Sequence, residues 1–245
     1  GQDIGMQDYP VLGGDKIGQI TGGTYSFLPA EEWIAEGCVA VDNGDGTWTV
    51  EEKQITAYPL WIGGEQITSE KLSGNGWSYD LSSNTLTLNN YSYSGEGYYY
   101  EPEALFHSAA VYSTEDLNIV LVGENSLTNT TEGRDGITAQ YNITISGEGS
   151  LKIEADYAIY AALRDVTINS GSVTINEGES GINAGEDVNI TGGTIAIDAA
   201  KGIEVDNGNV TISGEGTLDI AAIYGIYAEQ GNVAISGGTA VITAA

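Results

Sequence analysis

The chain has almost none of the residues that build a disulfide framework, a basic surface or a histidine site. Among its 245 residues there is one cysteine, Cys38, and one histidine, His107. A single cysteine closes no internal disulfide, so stability must come from packing. Only 7 Lys and Arg stand against 35 Asp and Glu, a net charge of −28. Nucleic acid and anionic membranes are held by clustered Lys and Arg, so this balance excludes both as partners. No run of about 18 apolar residues occurs, which excludes a membrane-spanning helix. Helical periodicity is missing as well, and so is any case for helical or leucine-rich repeats.

What the chain has is repetition. The phrase "NITISGEGSLKI" beginning at Asn142 returns as "NVTISGEGTLDI" beginning at Asn209. Weaker copies fill the gap. A small residue followed by a β-branched one recurs at Ala110, Gly136, Ala158, Gly181, Gly202 and Gly225. This near-constant step marks a repeat architecture. After each anchor come two triplets of apolar-x-apolar form, such as Ile143 with Ile145 and Leu151 with Ile153. They are separated by Gly, Ser, Asn and Asp. Period-two alternation with β-branched residues reads as strands, and the punctuation reads as turns.

Three short strands per circuit of about 22 residues, with no helix, predict an all-β fold. The matching architecture is a β-solenoid whose coils stack about 4.8 Å apart. Alternate Ile, Val and Leu face inward. One turn position supports this register: Asn142, Asp165, Asp187, Asn209 and Asn232 each precede the second strand. In the first coil either Asp116 or Asn118 fits. Asn and Asp suit such turns because their side chains bond nearby backbone, and Asn can ladder between stacked coils. An acidic metal stripe is the weaker reading, since Asn brings no charge.

Residues 1–56 have a different texture. They predict a solenoid-like strand at 16–26, a short helix near 29–36 ended by Gly37, and a hairpin over 39–50 turning at 43–46. The "DNGDG" at the turn resembles a calcium loop in composition but lacks the later bidentate Glu, so it is read as a turn. Residues 57–106 alternate like strands broken by turns and suit a cap with a Tyr-rich loop. Residues 107–245 are expected to hold about six coils.

The order "LWIGGEQIT", "WSYDLSSNTLTLNN", "AAVYSTEDLNIVLVGENSL" and then the "NITISGEGSL" repeats resembles a family of secreted bacterial surface proteins. They are described as containing a carbohydrate-binding domain. The resemblance covers roughly 58–245 and implies a right-handed parallel β-helix of the pectin-lyase type, placed extracellularly on the bacterial cell surface or secreted. The stretch beginning "ITGGTYSFLPAEEW" is similar to segments that close β-helical repeats in other large surface proteins. This implies a modular setting with further domains of a longer chain.

Enzymes of that fold need particular residue sets. Lyases of the type pair calcium-holding carboxylates with an Arg or Lys base. The cations in the clear repeats are Arg134, Lys152, Arg164 and Lys201, and the two arginines fall at different corners. The strings typical of the hydrolases are absent. His107, the single histidine, reads as structural. No catalytic residue, metal ligand or cofactor is expected; the acidity is compatible with weak Ca2+ affinity and identifies nothing.

Tyrosines supply the positive clue to a ligand. The outward position of the first strand holds Tyr112, Thr138, Tyr160, Asn183, Glu204 and Tyr227, and the residue before the anchor adds Tyr157 and Tyr224. Tyr157 with Tyr160, and Tyr224 with Tyr227, then lie on one face three coils apart. Sugar rings lie well on aromatic faces, and the phenol adds a polar tip. A second cluster, Tyr91, Tyr93, Tyr98, Tyr99 and Tyr100, reads as a flexible aromatic loop, either cap or binding lip. The resulting expectation is a non-catalytic extracellular module that binds a polysaccharide or other glycan. The alternatives are a structural spacer, with end-to-end self-association through a bare solenoid end, and a polysaccharide lyase or glycoside hydrolase.

Overall fold

The computed structural model describes residues 19–100, 107–129 and 133–244. Contacts divide between Thr56 and Ala57 into two compact units. In the first, Gly23–Tyr25 and Cys38–Asp42 flank Trp48–Glu52 in an antiparallel sheet. The hairpin turn closes on its own side chains. Asp42 Oδ1 accepts the Gly44 N–H at 2.8 Å and Asp45 Oδ1 accepts the Thr47 N–H at 3.0 Å. Gly44 and Gly46 take φ of 76° and 87°, the left-handed region that favours glycine. The Thr47 hydroxyl and N–H hold the Asp45 carboxyl below its usual range.

Two expectations for this unit are corrected. The helix near 29–36 is a single 3-10 turn, Glu31–Trp33, flanked by extended Ala30 and Ile34. Pro29 and two glutamates favour a helix start, but Ile34 bridges Ile20, and the Ile20 N–H bonds the Trp33 carbonyl at 2.6 Å. Tertiary pairing overrides local preference. The expected strand at 16–26 is a short one, Gly23–Tyr25, and it pairs antiparallel with Trp48–Glu52 instead of joining a coil; residues 16–18 lie outside the described residues.

The second unit is a parallel β-helix of about six turns, with parallel strands about 23 residues apart. One inward column runs Leu86, Ile119, Ile145, Ile168, Ile190, Ile212, register by register. Ile145 and Ile212 therefore sit three layers apart in equivalent places. A second column runs Leu127, Ile153, Ile175, Ile197, Ile220, and a third Val111, Ile137, Ile159, Ile182, Ile203. All are buried in one continuous core. Each fully buried Ile or Leu contributes about 1.5–3 kcal/mol over leaving it in water, so the stacked columns supply the main driving force.

The small anchors face this core at a tight corner. A Cβ on Gly136 would stand 2.5 Å from Ile153 Cγ2, and one on Gly181 would stand 2.5 Å from Ile197 Cγ2. At these two positions even the methyl of alanine has no room. In the last coils the third strand runs on into the first, as in Ser172–Ala184, Thr194–Val205 and Thr217–Ala228. A register shift at Asn176/Gly178 turns that corner without ending the strand.

The Asn/Asp turn position forms a continuous ladder. Asp116 Oδ1 accepts the Asn142 N–H at 3.0 Å, and Asn142 Oδ1 accepts that of Asp165 at 3.3 Å. Asp165 Oδ1 accepts from Asp187 at 2.9 Å, Asp187 Oδ1 from Asn209 at 2.7 Å, and Asn209 Oδ1 from Asn232 at 3.1 Å. Asp116, not Asn118, begins it. These oxygens tie one coil's backbone to the next.

At the other end, Thr85–Asn89 and Ser92–Ser94 run parallel to Leu117–Val122 and Glu124–Asn129, so they supply two sides of a coil. Ala57–Ile62 lies antiparallel to Ser108–Ser113, and Trp77–Asp80 lies antiparallel to Thr85–Asn89.

Candidate functional site

Outward residues of the first strands stack into two columns. One runs Asp135, Tyr157, Ser180, Lys201, Tyr224. The other runs Trp61, Tyr112, Thr138, Tyr160, Asn183, Glu204, Tyr227. The second column points outward because each of its residues directly follows an inward residue, and successive strand residues point to opposite faces. The first column meets it across the corner, where Thr138 bonds Asp135 and Lys201 bonds Glu204. Three coil steps separate Tyr157 and Tyr160 from Tyr224 and Tyr227, about 14 Å at about 4.8 Å per step.

The lower part of this face is roofed. Tyr98 stacks on Trp61 with ring centroids 4.5 Å apart, and Tyr100 stacks on Tyr112 at 4.6 Å with planes 3° apart. Tyr98–Tyr99 pairs antiparallel with Ser108 and Ala109. The backbone carbonyl of Glu96 accepts bonds from Arg134 Nη1 at 3.3 Å, Asn129 Nδ2 at 3.5 Å, and the Ser108 hydroxyl. Arg134 also pairs with the Glu96 carboxylate at 3.5 Å and sits 5.0 Å from the Tyr99 ring centre. Gly97, at φ 71°, lies against the Ala109 carbonyl, where a Cβ would collide. Residues 91–100 are thus tied down at several points.

Beneath the roof lies Asp135, which is 1% exposed. Its Oδ2 accepts bonds from the Tyr100 hydroxyl and the Thr138 hydroxyl, both at 2.6 Å. Burial pushes its pKa up to about 6, against the pull of those two bonds. Its other oxygen has no partner among the described residues. His107 flanks the cluster, 6.0 Å from the Tyr100 ring centre.

Above the roof the face opens. Tyr157 and Tyr160 are half-buried, while Tyr224 is 63% and Tyr227 51% exposed. That upper pair forms the last described rung of the face. Lys201 Nζ reaches both Glu204 oxygens, at 3.4 and 3.2 Å. Burial, then the Glu179 carboxylate, raise the Tyr157 hydroxyl to about 12. Between these rungs the Ser180 hydroxyl and Asn183 Oδ1 are buried and have no hydrogen-bond partner among the described residues.

The tyrosines singled out in the sequence therefore divide. Tyr157, Tyr160, Tyr224 and Tyr227 share the open face. Tyr98, Tyr99 and Tyr100 form the roof, with Tyr112 covered by it at 5% exposure. Tyr91, 7% exposed, packs in the core, where burial raises its hydroxyl to about 12. The half-buried Tyr93 accepts the Gly97 N–H at 2.7 Å. Sequence reasoning passed over Asp135 and Ser180 and weighed Lys201 only as a cation, although each precedes an anchor as Tyr157 and Tyr224 do. Among the described residues, no three His, Cys, Asp or Glu side chains gather to hold a metal.

A parallel β-helix bearing one open, tyrosine-lined face is the class these features define. A family model described as carbohydrate-binding domain-containing protein matches residues 123–245, half of the chain. The chain belongs to that family. No curated protein and no solved structure matches it.

Proposed function

We propose that the chain is a non-catalytic, extracellular glycan-binding module that uses the open part of its first-strand face. The alignment of Tyr157 and Tyr160 with Tyr224 and Tyr227, three coils apart on one face, carries this reading. Family membership supports it. Aromatic rings offer apolar platforms for sugar C–H faces, and about 14 Å spans roughly three rings of an extended chain at about 5 Å each. Asn183, Lys201 and Glu204 between the platforms are suited to bonding sugar hydroxyls.

Affinity electrophoresis on gels containing cell-wall and storage polysaccharides tests this. The native chain is expected to be retarded on at least one gel. Tyr160→Ala and Tyr227→Ala should each remove most of that retardation, the latter with stability changed by no more than about 0.5 kcal/mol. Equal migration of all three proteins on every gel would overturn the reading and leave a structural spacer in its place.

A further inference from the structure

We infer that the open face selects an uncharged sugar, with Asn183 at its hydroxyl-binding subsite. This deepens the reading above and rests on it. Two independent observations lead to it, one electrostatic and one of hydrogen bonding.

The first is the lack of a spare cation. The chain has 7 basic residues against 35 acidic ones. In the β-helix, Lys71, Arg134, Lys152, Arg164 and Lys201 each stand within ion-pair distance of a glutamate. Among the described residues of the open face the one cation, Lys201, is held by both oxygens of Glu204. Glu179 and Asp156 both act on Tyr157 and add negative charge at its edge. A uronate or sulfated sugar laid on these tyrosines would meet carboxylates and no free positive charge. Like charges at such range repel, the more so when partly desolvated. An uncharged ring incurs no such penalty.

The second is unmet bonding capacity at the centre of the face. Among the described residues Asn183 Oδ1 is buried without a partner, with the Tyr157/Tyr160 rung on one side and the Lys201/Glu204 rung on the other. A buried polar atom left unpaired is unfavourable, so it stands ready for a ligand that supplies one. A sugar hydroxyl both donates and accepts. Asn183 is half-buried, and its terminal torsion is broad and roughly two-fold. Turning the amide brings the oxygen to the surface without moving the backbone.

The test is a binding titration of the full chain at low salt. The uncharged probes are a soluble β-glucan, a mannan and a galactan; the anionic probes are polygalacturonate and heparin. Expected are binding to at least one uncharged probe, at least tenfold weaker binding to both anionic ones, and a five- to tenfold loss on Asn183→Ala. Should the alanine chain not melt cooperatively, Asn183→Ser is read by the same criterion. Tighter binding to polygalacturonate or heparin would overturn the charge selection while leaving the glycan-binding reading intact. Uncharged-probe binding that Asn183→Ala does not alter would overturn the subsite alone. Binding to no probe would overturn both.

Discussion

The two halves of the first-strand face use the same positions for opposite ends. In the lower coils, Tyr112 and Asp135 occupy the outward columns and are sealed under Tyr98 and Tyr100. In the upper coils, Tyr224 and Tyr227 occupy those columns and stand in solvent. A tyrosine in an outward column is therefore no evidence of a ligand by itself. What separates the two is whether another segment of the chain supplies the covering ring. The lower half satisfies its aromatics internally; the upper half leaves a surface that a ligand can complete.

The largest expected effect strikes both halves together, because one core carries them. Ile190→Ala, at the middle of its column, should destabilise the β-helix by about 2–5 kcal/mol. Urea denaturation would measure this, and the roof and the open face should be lost in one transition. Separate transitions would mean that the two halves are independent.

The next effect belongs to the roofed half alone. Asp135 ionises near pH 6 in the folded chain, against 3.8 for the free group. The unfolded chain releases that proton first, so this group's stabilisation is full below about pH 4 and falls as pH rises to about 6. At about 1.4 kcal/mol per pKa unit, the decline is of the order of 2–3 kcal/mol. Asp135→Asn should remove it, so the variant's stability relative to the native chain should rise between pH 4 and pH 7. A difference independent of pH would show that the carboxylate is not desolvated. Tyr100→Phe removes a bond that favours the charged form, so it should move the decline to higher pH.

A smaller effect should follow at the open end. Tyr224→Ala and Tyr227→Ala remove exposed rings, so each should change stability by no more than about 0.5 kcal/mol. A change as large as that of Ile190→Ala would place these rings in the structural part of the comparison.

Period explains which of these features could be read in advance. The Ile columns repeat about every 23 residues with strict alternation, so inside and outside followed from the letters alone. The Asn and Asp turn position followed too, except in the first coil. There Asp116 and Asn118 are both suitable residues two positions apart, and only the bond to the Asn142 N–H distinguishes them. The helix expected near 29–36 gave way because the Ile20–Ile34 bridge is a long-range contact that no local preference records. The roof was out of reach for the same reason. Tyr100 and Asp135 are 35 residues apart, and neither the spacing nor the composition of residues 91–100 says which face they cover.

The central claim is that the open upper half of this face, and no other surface, meets the ligand. Hydroxyl-radical footprinting of the native chain, with and without a bound polysaccharide, tests it residue by residue. Protection is expected at Tyr160, Tyr224 and Tyr227, with Tyr91 and Tyr112 unreactive in both states. Protection confined to another face, or unchanged labelling of all three tyrosines at saturating polysaccharide, would contradict it.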